Sequence, residues 1–457
     1  MITLEPERLR PGLGGYSPEA STPEQASLIQ NMELDHDQVW RPRPGRVSRA
    51  NYGDNILHVS AHPNDTHLMV IEGADLRFVT ISSFADAVVS ASWPTAGFVK
   101  HAVGNTGSAS VWTACKAATT DAAAALKVVN SAGTESTPSN VTGNWVEAHG
   151  ALMLATKPNE FQWSALNDCT TWSALDAEPV NQRLGTLVGA LNIGESQTLL
   201  LGDRSCSIFR GAVEDLFSQE DYTGATVIPY GMVNCVCGKS AVFAGPGPML
   251  YLFDASGSLR RIDEPIFRDL LTVTNWDNTM AWWDPVRDTY NLVSFDLAKT
   301  WTYDLQRGLW MGLESAAVIG LGLKQTTTTG TPKARRFVGV GTRLLELDDS
   351  IYTDNSVAVT CILETYAGDR GMPDRRKQMN RVYVGGSGTW TVTLYYRNAI
   401  EGSWTTLAAS ATVTAPGFAY FAANVYRERK VRLSATAASG VFLRDVHLYE
   451  EVVGGEV

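Results

Sequence analysis

From residue 55 onward the chain alternates short apolar runs with Gly, Asn, Asp and Pro every few positions, the pattern of strands joined by tight turns. Helical periodicity is nearly absent. Within FQWSALNDCTTWSALD, residues 161–176, Phe161, Trp163 and Ala165 alternate with Gln162 and Ser164, so this stretch reads as a strand with one buried face, turned at Asn167 and Asp168. The preceding run GALMLATKPNEFQW reads as a hairpin whose turn lies at 157–160.

That hairpin recurs. Comparable units are LMVIEGADLRFVTI at 68–81, a weaker copy around 114–129, LLLGDRSCSIF at 199–209, LYLFDASGSLRRI at 250–262, YNLVSFDLAKTWTYDL at 290–305 and FVGVGTRLLEL at 337–347. Their turn centres are separated by about 40 to 52 residues, the length of a four-stranded propeller blade. The expected fold is therefore all-β, with a β-propeller of six to seven blades over 51–355. A further hairpin, TWTYDLQRGLWMG at 300–312, sets Trp310 on a returning strand, where an aromatic would pack blade on blade. TTTTGTPKARR at 326–336 reads as an exposed polar loop of the last blade.

Beyond about residue 356 the strands lengthen, as in VAVTCILETY, TWTVTLYYRN and VFLRDVHLYEEV, which suits a small C-terminal β-sandwich over 356–457. Residues 1–50 are rich in Pro, Gly and charge and read as an extended N-terminal arm.

At 457 residues, 44% hydrophobic, with thirteen Trp and a formal charge of −11, the composition is that of a folded globular chain. The acidic excess disfavours a protein that grips nucleic acid over most of its surface. The opening residues lack an apolar leader and no stretch has the length to span a bilayer, so folding in the cytoplasm without membrane insertion is expected. Six cysteines lack zinc spacing and read as reduced, buried thiols; Cys235 and Cys237 would share one face of a strand.

Catalytic patterns fail on inspection. Gly238-Lys239-Ser240 ends like a phosphate-binding loop, but position 233 is Val. There is no G-x-S-x-G and no H-E-x-x-H. His58, His62 and His67 cluster in a strand and turn, where a histidine is more often hydrogen-bonded than metal-bound. A propeller glycosidase would need two axial carboxylates, for which Asp203, Asp254, Asp284 and Asp304 are the candidates; all lie in turn contexts that favour Asp for its backbone hydrogen bonds. The expectation is a protein that is not an enzyme and has no cofactor and no metal. The tryptophans admit an alternative, a carbohydrate- or receptor-binding module with exposed rings.

The most individual segment is NMELDHDQVWRPRPGRVSR at 31–49, in which Arg41, Arg43, Arg46 and Arg49 are interleaved with prolines. Stiff backbone and planar donors suit docking on an acidic partner or phosphate; a connector entering the first blade is the plainer alternative. Arg375, Arg376 and Lys377, in DRGMPDRRKQMNR, form a second basic candidate for partner binding, against a solvated loop.

Two stretches taken in order resemble a family, the tail hub or packaged-DNA stabilisation proteins of short-tailed bacteriophages, which are nozzle-like in role. One is the run from Asn31 through Asp35 to Arg43-Pro44-Gly45; Gln38 stands where the family tends to carry a turn Gly. The other runs from FQWSALNDCTTWSALD through LVGALNIGESQTLLLGDRSCSIFRGAV to YGMVNCVCGKSAVFAGPGPMLYLFDASGSLRRIDEPI. The resemblance implies a non-enzymatic virion part of the tail, assembled in the host cytoplasm. It implies a homo-oligomer, a six-fold ring below portal and adaptor proteins and above needle, fibre or spike proteins. DNA would pass through without sequence-specific binding, and an acidic wall would let it slide.

Overall fold

The computed structural model describes residues 2–454 apart from 11–13, 21, 36, 63–65, 91–92, 94–100, 106–110, 117–124, 131, 195, 212–216, 223–232, 246, 255, 329–330, 400–401, 408–409 and 423. The protein is all-β. Among the described residues, helix is confined to Phe267–Leu270 and two short 3-10 turns, and no helix is long and apolar enough to cross a membrane. The chain divides into two units, residues 48–300 with 316–346, and residues 1–47 with 301–315 and 347–457.

The unit built on 48–300 has a five-blade propeller arrangement, each blade a four-stranded antiparallel meander. Blade 1 comprises Ile56–Ala61, His67–Glu72, Asp75–Thr80 and Asp86–Ser90. Blade 2 comprises His101–Asn105, Val111–Lys116, Leu126–Asn130 and Glu135–Ser136, and blade 3 Trp145–His149, Leu152–Thr156, Glu160–Ala165 and Asp168–Pro179. Blade 4 comprises Leu187–Gly194, Gln197–Gly202, Cys206–Arg210 and Ser218–Tyr222, and blade 5 Cys235–Cys237, Ser240–Ala244, Leu250–Phe253 and Leu259–Arg261. The first strands of blades 2 to 5 lie side by side in order, as in a propeller.

Five blades is fewer than the six to seven that hairpin spacing predicted. The spacing counts hairpins, whereas a blade is a closed four-stranded sheet. In this unit the later hairpins supply Thr279–Asp284 with Thr289–Ser294, and Val318–Thr328 with Thr331–Val340. The second of these joins blade 1 through a parallel bridge between Leu321 and Ser60. The 300–312 hairpin leaves this unit, because residues 301–315 belong to the other one. There Trp310 packs edge-on against Tyr303, with centroids 5.1 Å apart. The predicted loop at 326–336 continues the Val318–Thr328 and Thr331–Val340 ladder; the side chains of 321–334 and the tip at 329–330 lie outside the described residues.

Side chains on a strand point alternately to opposite faces, and in a propeller each face meets a different neighbouring blade. In blade 3, Leu152 and Leu154 join the core shared with blade 4, while Met153 and Ala155 join the core shared with blade 2. In blade 1, Met69 and Ile71 pack with Trp93 and Val129 of the blade 2 side, while Leu68 and Val70 pack with Phe337 and Leu344. Both faces being buried, such middle strands read as unbroken apolar runs. The repeated Trp-Ser-Ala-Leu is sorted the same way: Trp163 faces blade 4 beside Phe161, and Trp172 faces blade 2 beside Cys169, its indole N–H donating to the Cys169 carbonyl at 2.9 Å. The intervening turn places Asn167 at φ 55°, and the Asp168 carboxylate accepts from the amide of Thr170 and the hydroxyls of Thr170 and Thr171.

A polar link joins blades 3 and 4 through a buried histidine. The His149 ring donates from Nε2 to the Gly211 carbonyl at 2.7 Å, and its Nδ1 lies 2.8 Å from the Thr198 hydroxyl, which donates to it when the imidazole is neutral. Burial lowers its pKa from the ordinary 6.5, with the Gly211 bond opposing.

In the other unit the 22-residue strand Arg376–Arg397 is the spine. Its first half pairs with Phe442–Gly454, its second with Glu428–Thr436, and Ala411–Tyr420 runs along its other edge. The strand changes partners at Gly385–Gly388; a Cβ on Gly386, at φ 151°, would lie 2.2 Å from the Phe442 carbonyl oxygen, so the bend requires glycine. Hydrogen bonding thus joins these strands into one network, where two separate sheets were expected. Residues 1–47 supply strands to this network: Ile2–Thr3 and Glu7–Leu9 pair with Phe442–Gly454, Ala26–Gln30 pairs with Thr360–Thr365, and Leu443 bridges to Trp40.

Trp163→Ala and Trp172→Ala, each removing a ring that is more than nine-tenths buried, should each lower the unfolding free energy by about 3–5 kcal/mol in denaturant titrations. His149 has a lowered folded pKa, so its contribution is present above 6.5 and is lost as pH falls below it. The melting temperature should therefore decline on acidification from neutral pH, and His149→Gln, which keeps a donor toward Gly211, should decline less steeply.

Candidate functional site

The arginine-rich stretch is not a free arm. Arg43 and Arg46 are more than nine-tenths buried. The Arg43 guanidinium forks onto Asp354, with Nη1 at 3.0 Å from Oδ1 and Nη2 bonded to Oδ2; it also donates to the Pro44 carbonyl and to Asn31 Oδ1. Arg46 bonds Glu314, which lies 3.5 Å from Arg43 Nε, and Arg46 Nη1 lies 3.8 Å from Asp354. Two cations and two anions thus close a four-membered cluster drawn from three distant segments. Burial opposes the charged form of Arg43, but Glu314 and Asp354 outweigh it and raise its pKa.

The local sequence explains the geometry. Gly45 sits where a Cβ would meet the Thr353 carbonyl oxygen at 2.5 Å, so glycine lets strand 45–51 lie against 353–354. Asn31 donates to the Thr360 carbonyl at 2.9 Å. Gln38 occupies the left-handed region at φ 59°, in a turn where Asp35 Oδ1 accepts from the Val39 amide. Of the remaining arginines, Arg41 is half-exposed on Asp35, with its guanidinium 5.5 Å from the Phe442 ring. Arg49 belongs to the propeller unit, where it and Arg335 share the Glu346 carboxylate at 2.7 and 2.6 Å and flank the Phe84 ring.

The second basic candidate also separates. Arg375 and Arg376 are exposed, but Lys377 is fully buried, its ammonium donating to the carbonyls of Met372 and Arg375; burial lowers its pKa. Beside it lies a second charge cluster that the sequence reading missed. Arg429, fully buried, bonds both Glu7 and Glu450, and Arg370 lies 3.6 and 3.8 Å from the same two carboxylates. The hydroxyls of Tyr366 and Tyr426 donate to Glu7 and Glu450 at 2.5 and 2.7 Å. Burial pushes the Tyr366 phenol up to about 12.

The remaining candidates resolve into local roles. Asp254 accepts from the amides of Ser256 and Ser258, Asp284 from that of Val286, Asp304 from that of Arg307 and Asp203 from that of Thr186. A cavity of about 770 Å³ between blades 4 and 5 has Arg210, Lys239 and Asp254 on its wall; Asp254 is the one carboxylate among its described lining residues. His62 is buried edge-on against Phe78 at 4.5 Å, and 6.0 Å from His67. Among the described residues, no group of three His, Cys, Asp or Glu is placed to hold a metal. Burial pushes the thiols of Cys169 and Cys361 up to about 12 and that of Cys206 up to about 11, away from the reactive thiolate. Burial, reinforced by Cys235, raises Cys237 as well.

A third feature of the 347–457 region is a sheet face carrying Arg381, Tyr383, Phe418, Tyr420 and Tyr449, with Phe418 and Tyr420 exposed. Its signal in the sequence was the period-2 spacing of aromatics in GFAYF and VHLYE, which reads equally well as ordinary strand.

No family model and no curated protein matches the chain. Among solved structures, the extracellular domain assigned to a one-component system of B. thetaiotaomicron is similar at 8% identity and a TM-score of 0.42. The match covers 95% of this chain and 64% of that one, and it is too distant to carry a functional argument.

The two kinds of arginine give opposite expectations. Arg43→Met takes a buried guanidinium away from half-buried Asp354, while Arg46 still bonds Glu314, and should cost about 1–3 kcal/mol in denaturant unfolding. Arg41→Ala, at a half-exposed pair, should change the same measurement by less than about 1 kcal/mol.

Proposed function

We propose that this chain is a structural, non-catalytic virion protein, the tail hub or nozzle of a short-tailed bacteriophage. In this role it forms a homo-oligomeric ring, six-fold by family likeness, below the portal and adaptor. It extends or closes the DNA exit channel and carries needle, fibre or spike proteins beneath.

One observation carries the reading. The residues on which the family resemblance rests, Asn31 and Arg43-Pro44-Gly45, are those that hold the buried cluster with Asp354 and Glu314 together, and the second stretch of resemblance builds blades 3 to 5. The likeness therefore falls on positions that determine architecture, as it would in a shared scaffold. The −11 charge suits a wall past which a polyanion slides.

Antibody raised against the purified chain, applied with gold to particles from a lysate carrying the gene, tests the assignment. Gold confined to the single tail vertex close to the capsid is the expected outcome, together with loss of packaged DNA from particles of a deletion mutant. Gold on distal fibres, or on no particle, refutes it.

A further inference from the structure

The aromatic sheet face shares no residue with the two charge clusters and owes nothing to the tail-hub reading. Strands Arg376–Arg397, Ala411–Tyr420, Phe442–Gly454 and Glu7–Leu9 place side chains in two cross-strand rows. One row is Tyr420, Arg381, Tyr449; the other is Phe418, Tyr383, His447, Arg8. Neighbouring strands are about 4.8 Å apart and successive rows about 7 Å, which brings the rings into contact at tilts of 36° to 61°. The reverse face, with Val382, Val384, Ala419, Val446 and Leu448, is fully buried and fixes the sheet.

Two features distinguish this face from an ordinary half-exposed sheet. Large rings are left in solvent: Tyr420 is 67% and Phe418 37% exposed. Then Arg381 lies with its guanidinium 4.4 Å from the Tyr449 ring centroid and 5.0 Å from that of Phe418, and among the described residues it makes no ion pair and no side-chain hydrogen bond. Three other arginines of this sheet region are paired, Arg397 with Glu428, Arg432 with Glu364 and Arg8 with Asp445 at 2.9 Å, whereas Arg376 and Arg444, both exposed, make no ion pair among the described residues. Arg381 is thus a half-buried cation held in place by stacking, with no carboxylate of the described residues on its fork of donors.

We propose that this face binds an acidic polysaccharide, whose sugar rings stack on Tyr420, Tyr383 and Phe418 while a sugar carboxylate is taken by Arg381. A pyranose presents a C–H face that stacks on an aromatic ring, and a carboxylate matches the guanidinium fork. The Arg8–Asp445 pair beside His447 offers donors and acceptors to hydroxyls at the rim. A single unpaired cation among rings suits a polymer whose charges are spaced by sugars. A nucleic acid strand, with a phosphate at every step, calls for a continuous basic groove.

Native affinity electrophoresis of the full chain in gels containing hyaluronan, alginate or polysialic acid tests this, with dextran as the neutral polymer and an oligothymidylate as the nucleic acid. The expected result is retardation by at least one acidic polysaccharide and none by dextran, weakening as salt rises. Arg381→Gln should weaken it by about tenfold, the loss of one charge-assisted contact. Tyr420→Ala should weaken it while Tyr420→Phe retains it. Circular dichroism and melting temperature of each variant separate lost binding from lost folding, and Tyr420, being largely exposed, can be removed without opening the core. The proposal is overturned by the absence of retardation in all acidic gels, by equal retardation in dextran, by stronger retardation with the oligothymidylate, or by an Arg381→Gln protein that folds and binds as before.

Discussion

Buried arginine–carboxylate clustering is the constraint on which the unit formed by residues 1–47, 301–315 and 347–457 depends. Removing two guanidinium groups and two carboxylates from water is costly, and the cost is met only when each charge finds its counter-charge at hydrogen-bonding distance. Arg43 and Arg46 find theirs on Glu314 and Asp354, and Arg429 and Arg370 find theirs on Glu7 and Glu450. Each cluster unites the N-terminal segment with residues some hundreds of positions downstream. A hydrophobic contact tolerates a shifted register more readily than a forked ion pair on a buried guanidinium, so these clusters favour one register of the strands that carry them.

The propeller unit is organised by a different rule. Its blades are held by side chains sorted to two faces, so that consecutive residues such as Leu152, Met153 and Leu154 serve different neighbours. Polar links between blades are few and local, as at His149 and Thr198. Cohesion there is spread over many apolar contacts, each worth a little, whereas in the other unit it is concentrated in a few that must all be present.

The contrast explains what was legible in the sequence. Strand, turn and blade period are local properties, and the hairpins at 68–81, 152–163, 199–209 and 250–262 appear where their patterns put them. Asn167 and Asp254 likewise announce their turns through short-range backbone chemistry. The blade count differed because a hairpin at 300–312 has the same local pattern whichever unit it enters, and only long-range pairing assigns it. Arg43 and Arg46 were visible as an unusual concentration of charge, but their partners, Glu314 and Asp354, carry no mark in the sequence. Arg429 and Arg381 could not be told from ordinary strand arginines, since what separates them is the presence of a carboxylate in one case and of stacked rings in the other.

The segmented composition of the first unit has a consequence for synthesis. Residues 48–300 emerge from the ribosome before 301–315 and long before 347–457, so most of the propeller unit can settle while Glu7, Arg43 and Arg46 still lack their partners. During that interval the N-terminal segment carries charges that keep it in water and out of premature apolar association. Its partner strands, Thr360–Thr365 and Phe442–Gly454, are the last to be made, so the register of the N-terminal strands is set at the end of synthesis.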